Sequence, residues 1–182
     1  NAGGVANTGK GTFSMTGGTI KNCNATNGGA VITGYSFTMS GGVIDNCKAD
    51  NKGGGVTVMS DSSTAGIFTL DGGTIKNCSA LHGGGVANGY DSDYNAYFTM
   101  NSGTIDNCQA KQTGGGVYNE DYTLFTLKGG TIKNCVAYCG GGVCVSRNAS
   151  YTSSGELILE NSASNELSRF NMYGGTIENC RA

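Results

Sequence analysis

One motif recurs six times along the chain and leaves few folds open. It reads F-[ST]-[ML]-x-[GS]-G-[TV]-I-[KDE]-N-C-x-A and starts at Phe13, Phe37, Phe68, Phe98, Phe125 and Phe170, with Asn171 the one departure at its second position. These six are all the phenylalanines in 182 residues. The first five copies run on into Gly-Gly-[GA]-Val. A supersecondary unit repeated at intervals of 24 to 45 residues is the mark of a solenoid, whose units bury their apolar faces only by stacking.

The period inside one unit decides the kind of solenoid. Phe68 and Leu70 flank Thr69, Ile75 lies between Thr74 and Lys76, and Cys78 and Ala80 flank Ser79. Alternation of this kind, in pieces of three or four residues cut by Gly and Asn, belongs to strands. No window carries the i, i+3, i+4 spacing of a helix. Units repeating in the same direction stack as parallel strands, so the sequence predicts an all-β, right-handed parallel β-helix, pectate-lyase-like in architecture, of about six coils. Right-handedness follows from the bias of parallel crossovers, about 98% of which are right-handed. Ladders of Phe, Ile, Asn and Cys are expected along its axis. Glycine at positive φ would turn its corners, and asparagine, which tolerates left-handed backbone, would bond from coil to coil.

The whole of 1–182 reads as one β-helix domain. Only the connection from the Gly-Gly-Val end of one coil to the next Phe varies in length. It takes five residues at 32–36, eleven at 57–67 and 87–97, seven at 118–124 and twenty-six at 144–169. The last contains an insertion loop, 145–169, in which Glu156–Glu160 has the pattern of a short strand. Insertions confined to one point of a repeat emerge on one side, often the binding side. Tyrosines concentrate there: Tyr90, Tyr94, Tyr97, Tyr118, Tyr122 and Tyr151. Amphipathic rings of this kind suit contact with a glycan or a protein, and these six are the candidate ligand-binding residues. Packing against their own loops is the competing reading.

One outward column alternates in sign: Lys21, Asp45, Lys76, Asp106, Lys133 and Glu178. In register, each charge has opposite neighbours, and a slipped coil would bring like charges together. Exposed pairs contribute only roughly 0.2–1 kcal/mol, so the column is read as register control.

At this point I-x-N-C-x-A-x-x-G-G-G-V resembles the F-x-x-N and G-G-A-[ILV] repeats of the chlamydial polymorphic outer-membrane proteins and related bacterial surface β-helices. All six coils share the resemblance. Ile stands here where that family has Phe, and Cys follows Asn. The resemblance implies a secreted, surface-displayed passenger used in adhesion, hence an extracellular or bacterial cell-surface location.

Composition and motif searches narrow the chemistry. Charged residues make up 13% of the chain against roughly 25% in an ordinary domain. A net charge of −2 offers no basic face to nucleic acid. No apolar run is long enough to span a membrane. Gly4–Lys10 copies the spacing of a phosphate loop, but Gly11 stands where Ser or Thr is needed, and a strand follows. Asp91, Asp93 and Asn95 begin like a calcium loop that Ala96 breaks. No metal or other cofactor is expected. His82, the only histidine, is read as an exposed turn residue. The six column cysteines are read as a buried reduced ladder, whereas Cys139 and Cys144 break the pattern and could bridge locally.

The function expected is therefore a non-enzymatic stalk, adhesin or fibre segment. Fold alone does not make an enzyme. A polysaccharide lyase or glycoside hydrolase would need two carboxylates within about 10 Å in a groove, and no catalytic residue is assigned. Ice binding through outward Thr columns, such as Thr38, Thr69 and Thr99, is a further alternative. Read tail to head, 179–182 followed by 1–5 restores the repeat one residue short. The sequence thus predicts a longer object, by continuation of the solenoid or by head-to-tail stacking of copies.

Overall fold

A computed structural model describes residues 1–90, 94–146, 150–151, 157–158 and 168–182. The chain is a right-handed parallel β-helix whose strands gather into four parallel sheets. Each sheet is one face of the coil and takes its name here from its inward residue. The valine sheet stacks Val5–Asn7, Val31–Thr33, Val56–Val58, Val86–Asn88, Val117–Asn119 and Val143–Val145. The phenylalanine sheet follows with Thr12–Met15, Ser36–Met39, Gly66–Leu70, Ala96–Met100, Thr123–Leu127 and Arg169–Met172. The isoleucine sheet carries the T-I-K and T-I-D segments, from Thr19–Lys21 to Thr176–Glu178. An alanine sheet of four strands, from Asn24–Asn27 to Gln109–Thr113, closes the coil and is extended by bridges to Val136 and Arg181.

Register repeats the sequence columns residue for residue. Phe68 pairs with Phe37 on one side and Phe98 on the other, and Ile75 with Ile44 and Ile105. The six phenylalanine rings consequently stack face over face, with centroids 4.6 to 4.9 Å apart. That distance is the spacing of hydrogen-bonded strands, so the ring stack and the backbone ladder have one period. Phe, Met or Leu, Ile, Cys and Val from the inner coils form one continuous core. Close approach requires glycine behind it. A Cβ at Gly55 would stand 2.7 Å from the Gly85 carbonyl oxygen and 2.8 Å from Ile75 Cγ2.

The asparagine corner is built as the column predicts. Asn22, Asn46, Asn77, Asn107, Asn134 and Asn179 all adopt φ between 50° and 57°, a left-handed conformation Asn accepts at lower cost than most residues. Their amides do not form a plain Asn–Asn ladder. Asn46 Nδ2 donates to Asn22 Oδ1 at 2.9 Å and Asn107 Nδ2 to Asn77 Oδ1 at 2.8 Å. Where the preceding coil carries aspartate, the amide turns to it instead. Asn77 Nδ2 reaches Asp45 Oδ1, and Asn134 Nδ2 reaches Asp106 Oδ1, both at 2.7 Å. The same aspartates pair with Lys76 at 3.7 Å and Lys133 at 3.8 Å. Charge column and asparagine corner are thus one network. Among the described residues its ion pairs close only from lysine to the aspartate of the preceding coil.

The short strand expected within Glu156–Glu160 is observed at Leu157–Ile158, where it pairs antiparallel with Ser150–Tyr151 of the same insertion. Glu156 and Glu160 lie outside the described residues. No helix among the described residues is long and apolar enough to cross a membrane.

Replacing Asp106 by Lys removes the acceptor of Asn134 and sets three lysines in a row. A loss of about 0.5–2 kcal/mol in urea unfolding is expected at low salt, shrinking as salt is added. Unchanged stability at low salt would contradict the in-register network.

Candidate functional site

The side of the solenoid where the connections leave differs from the other three. On the valine sheet, Ile32, Thr57, Ala87, Tyr118 and Cys144 follow one another in register on the outward side. In an uncovered strand this column would face water, yet Thr57 and Ala87 are fully buried and Tyr118 is 8% exposed. A second layer of polar side chains lies over this sheet.

Lys52 anchors that layer. Its Nζ stands 2.6 Å from Glu120 Oε1, and both side chains are almost entirely shielded. The Tyr90 ring faces the same ammonium at 5.4 Å, close enough for a cation–π contribution. Asn27 Nδ2 donates to the Tyr90 hydroxyl at 3.3 Å. Thr57 Oγ1 donates to the Lys52 carbonyl at 2.8 Å and accepts from the Gly28 amide at 3.0 Å. Further along, the His82 ring lies 5.2 Å from that of Tyr118, and His82 Nδ1 is 2.7 Å from Thr113 Oγ1. Burial raises the Tyr118 hydroxyl above its ordinary pKa, partly offset by a hydrogen bond with Ser146.

A second set of asparagines fastens the roots of the connections, and nothing in the repeat motif announces it. Asn7 Nδ2 donates to the Ser36 carbonyl at 2.8 Å. Asn88 Nδ2 donates to Asn119 Oδ1 at 2.8 Å and to the Leu124 carbonyl at 3.1 Å. Asn119 Nδ2 reaches the Thr123 and Arg169 carbonyls at 3.2 and 3.1 Å. Each ties the point where the chain leaves the valine sheet to a point where it re-enters the phenylalanine sheet. Ser168 Oγ adds a bond to the Glu120 carbonyl at 2.7 Å. The loops are therefore held at their bases.

The six tyrosines do not form one surface. Tyr90 and Tyr118 are drawn into the polar layer, while Tyr94 and Tyr97 are exposed. Tyr122 is half-buried at φ 57°, a strained conformation for a bulky residue. The Tyr151 backbone lies in the insertion hairpin, and its side chain is outside the described residues. Tyr97 belongs instead to an outward row of the phenylalanine sheet, paired in register with Ile67 and Leu124. Ile67 and Tyr97 are 41% and 38% exposed, and Tyr35 beside them is 37% exposed. The Ile67 amide donates to the Tyr35 carbonyl at 2.7 Å. The rule that would have found this row is simple: the residue before each Phe faces out.

His82, expected as an exposed turn residue, is half-buried and joins the polar layer. Cys139 and Cys144 are brought together, with sulfurs 3.9 Å apart. The described residues contain no group of three or more His, Cys, Asp or Glu placed to hold a metal ion. Asp91 and Asp93 lie outside the described residues. A groove of about 260 Å³ on the alanine sheet is lined by Lys48, Asp50, Ser79, Leu81, Gln109 and Lys111, and it contains none of the tyrosines. No protein-family model, curated protein or solved structure matches the chain.

Lys52→Ala would leave Glu120 buried without its partner, at a cost of about 3–5 kcal/mol. Replacing both with apolar residues should cost clearly less. Urea unfolding of the single and double variants checks this, and equal losses would show that the pair is not coupled.

Proposed function

We propose that the protein is a non-enzymatic, surface-exposed β-helix of structural and adhesive character, acting at the bacterial cell surface or outside the cell. The observation that carries this reading is the exposed pair Ile67 and Tyr97, in register on consecutive coils, with exposed Tyr35 and Tyr94 nearby. Rings held on a rigid ladder contact a ligand with little loss of conformational freedom, and Tyr joins an apolar face to a polar tip. A glycan chain, or the edge of a partner protein, can lie along such a row. The resemblance to surface β-helix repeats supports the same reading.

The acids support display more than catalysis. Asp45 and Asp106 are engaged by Asn77, Asn134, Lys76 and Lys133. Glu120 is held by Lys52. Carboxylates bound in this way serve the scaffold, whereas a glycosidase needs a pair aimed at one sugar linkage.

Glycan-array or host-cell binding tests the reading with Tyr94→Ala and Tyr97→Ala combined. Binding is expected to weaken by about tenfold or more. Binding that survives the double substitution unchanged would overturn the assignment of this row. The pair Tyr94→Ala and Tyr122→Ala then separates the exposed row from the loop behind it.

A further inference from the structure

We propose that Cys139 and Cys144 form a thiol–disulfide exchange site, where exposed Cys139 takes up a low-molecular-weight disulfide and Cys144 resolves the adduct. The corner that brings them together recurs along the solenoid. In the second coil the corresponding positions are Lys52 and Thr57, which a bond from Thr57 Oγ1 to the Lys52 carbonyl links at 2.8 Å. In the register of the alanine and valine sheets, Cys139 follows Thr113 and Cys144 follows Tyr118. Only in the fifth coil do both positions carry a thiol. Gly140, at φ 64°, makes the turn between them, and a Cβ there would stand 2.7 Å from Cys144 Cβ.

The other six thiols are placed differently. Cys47, Cys78, Cys108 and Cys135 are buried in the core. Their sulfurs donate to the carbonyls of Asp45, Lys76, Asp106 and Lys133 at 3.1 to 3.4 Å. Burial holds the Cys108 thiol well above its ordinary pKa, and these four sulfurs lie in the core out of reach of a dissolved disulfide, while Cys23 and Cys180 at the two ends of the ladder are half-buried. Cys139 is exposed. Cys144 is 8% exposed, with its thiol pushed up to about 11 by burial and by Cys139. The attacking species in exchange is the thiolate. Entry is therefore at Cys139, and Cys144 is positioned to act second.

The steps balance without a further oxidant. Cys139 loses its proton, its sulfur attacks one sulfur of the small disulfide, and a mixed disulfide forms as the first small thiolate leaves and takes up a proton. Cys144 then loses its proton and attacks the Cys139 sulfur. The Cys139–Cys144 bond forms, and the second small thiolate leaves and is protonated. Two protein thiols are oxidised, and one small disulfide is reduced to two thiols. The sulfurs must close from 3.9 Å to the roughly 2.0 Å of a disulfide, a movement the exposed Cys139 side chain can make. The bond would clasp the corner that leads into Val143–Val145, next to the 145–169 insertion.

The test treats the reduced, folded protein with oxidised glutathione, quenches it with acid and maps the peptides by mass spectrometry. The expected product is lighter by two hydrogens, linked between Cys139 and Cys144, with the four buried ladder thiols Cys47, Cys78, Cys108 and Cys135 still reduced. Cys144→Ser should stop at the glutathione adduct on Cys139, and Cys139→Ser should leave Cys144 unmodified. A persistent adduct on Cys139 in the unaltered protein, or oxidation of the ladder first, would overturn the proposal. The unaltered protein decides the matter even if a variant fails to fold.

Discussion

Every layer of this molecule depends on coils stacking in register at one strand spacing. A side-chain period of two means that a slip of one residue would turn Phe68 and Leu70 outward and Thr69 inward. The same slip would break the ring stack, whose centroids lie 4.6 to 4.9 Å apart. It would also part Asn77 from Asp45 and Lys76 from Asp45. Apolar burial sets the stability of the stack, while these directional contacts select one register among several that would bury similar area. Individually the exposed ion pairs are weak. Their value lies in opposing the slipped alternatives.

The fold was legible because its causes are local and repeated. Columns of Phe, Ile, Asn and Cys can be aligned by eye, and alternation assigns each one a side. The outer layer was not legible in that way. Lys52 and Glu120 are sixty-eight residues apart, one at the end of the strand Lys48–Lys52 and the other in a variable connection, so no spacing rule joins them. Lys52 reads as a surface charge until the loop carrying Tyr90 folds back over it. Tyr118 reads as a loop aromatic, yet it sits in a strand whose outward side is covered. Ile67 and Tyr97 are the opposite case. Their outward placement follows from the pleat alone once the inward direction of Phe68 and Phe98 is fixed.

The contrast between faces has a physical origin. Short, uniform corners at Gly42 and Gly73, both at positive φ, allow nothing to project between the phenylalanine and isoleucine sheets. The corner after the valine sheet accepts five to twenty-six residues, and Asn7, Asn88 and Asn119 tie departing strands to returning ones at several of these corners. Variation is thereby separated from stability, as in solenoids generally, where each unit answers only to its neighbours. A rigid ladder with one tolerant edge is a suitable platform for display.

The central claim, one coil per repeat in register, is tested most directly by dipolar distances between spin labels in the outward Thr column. Labels at Ser14 and Asn171, which continues the column, stand five coils apart, so a separation near 24 Å between attachment points is expected from steps of about 4.8 Å. Ser14 paired with Thr99 should be shorter by two such steps. Equal increments from pair to pair are the predicted result. A separation that fails to grow with each coil would contradict the stack.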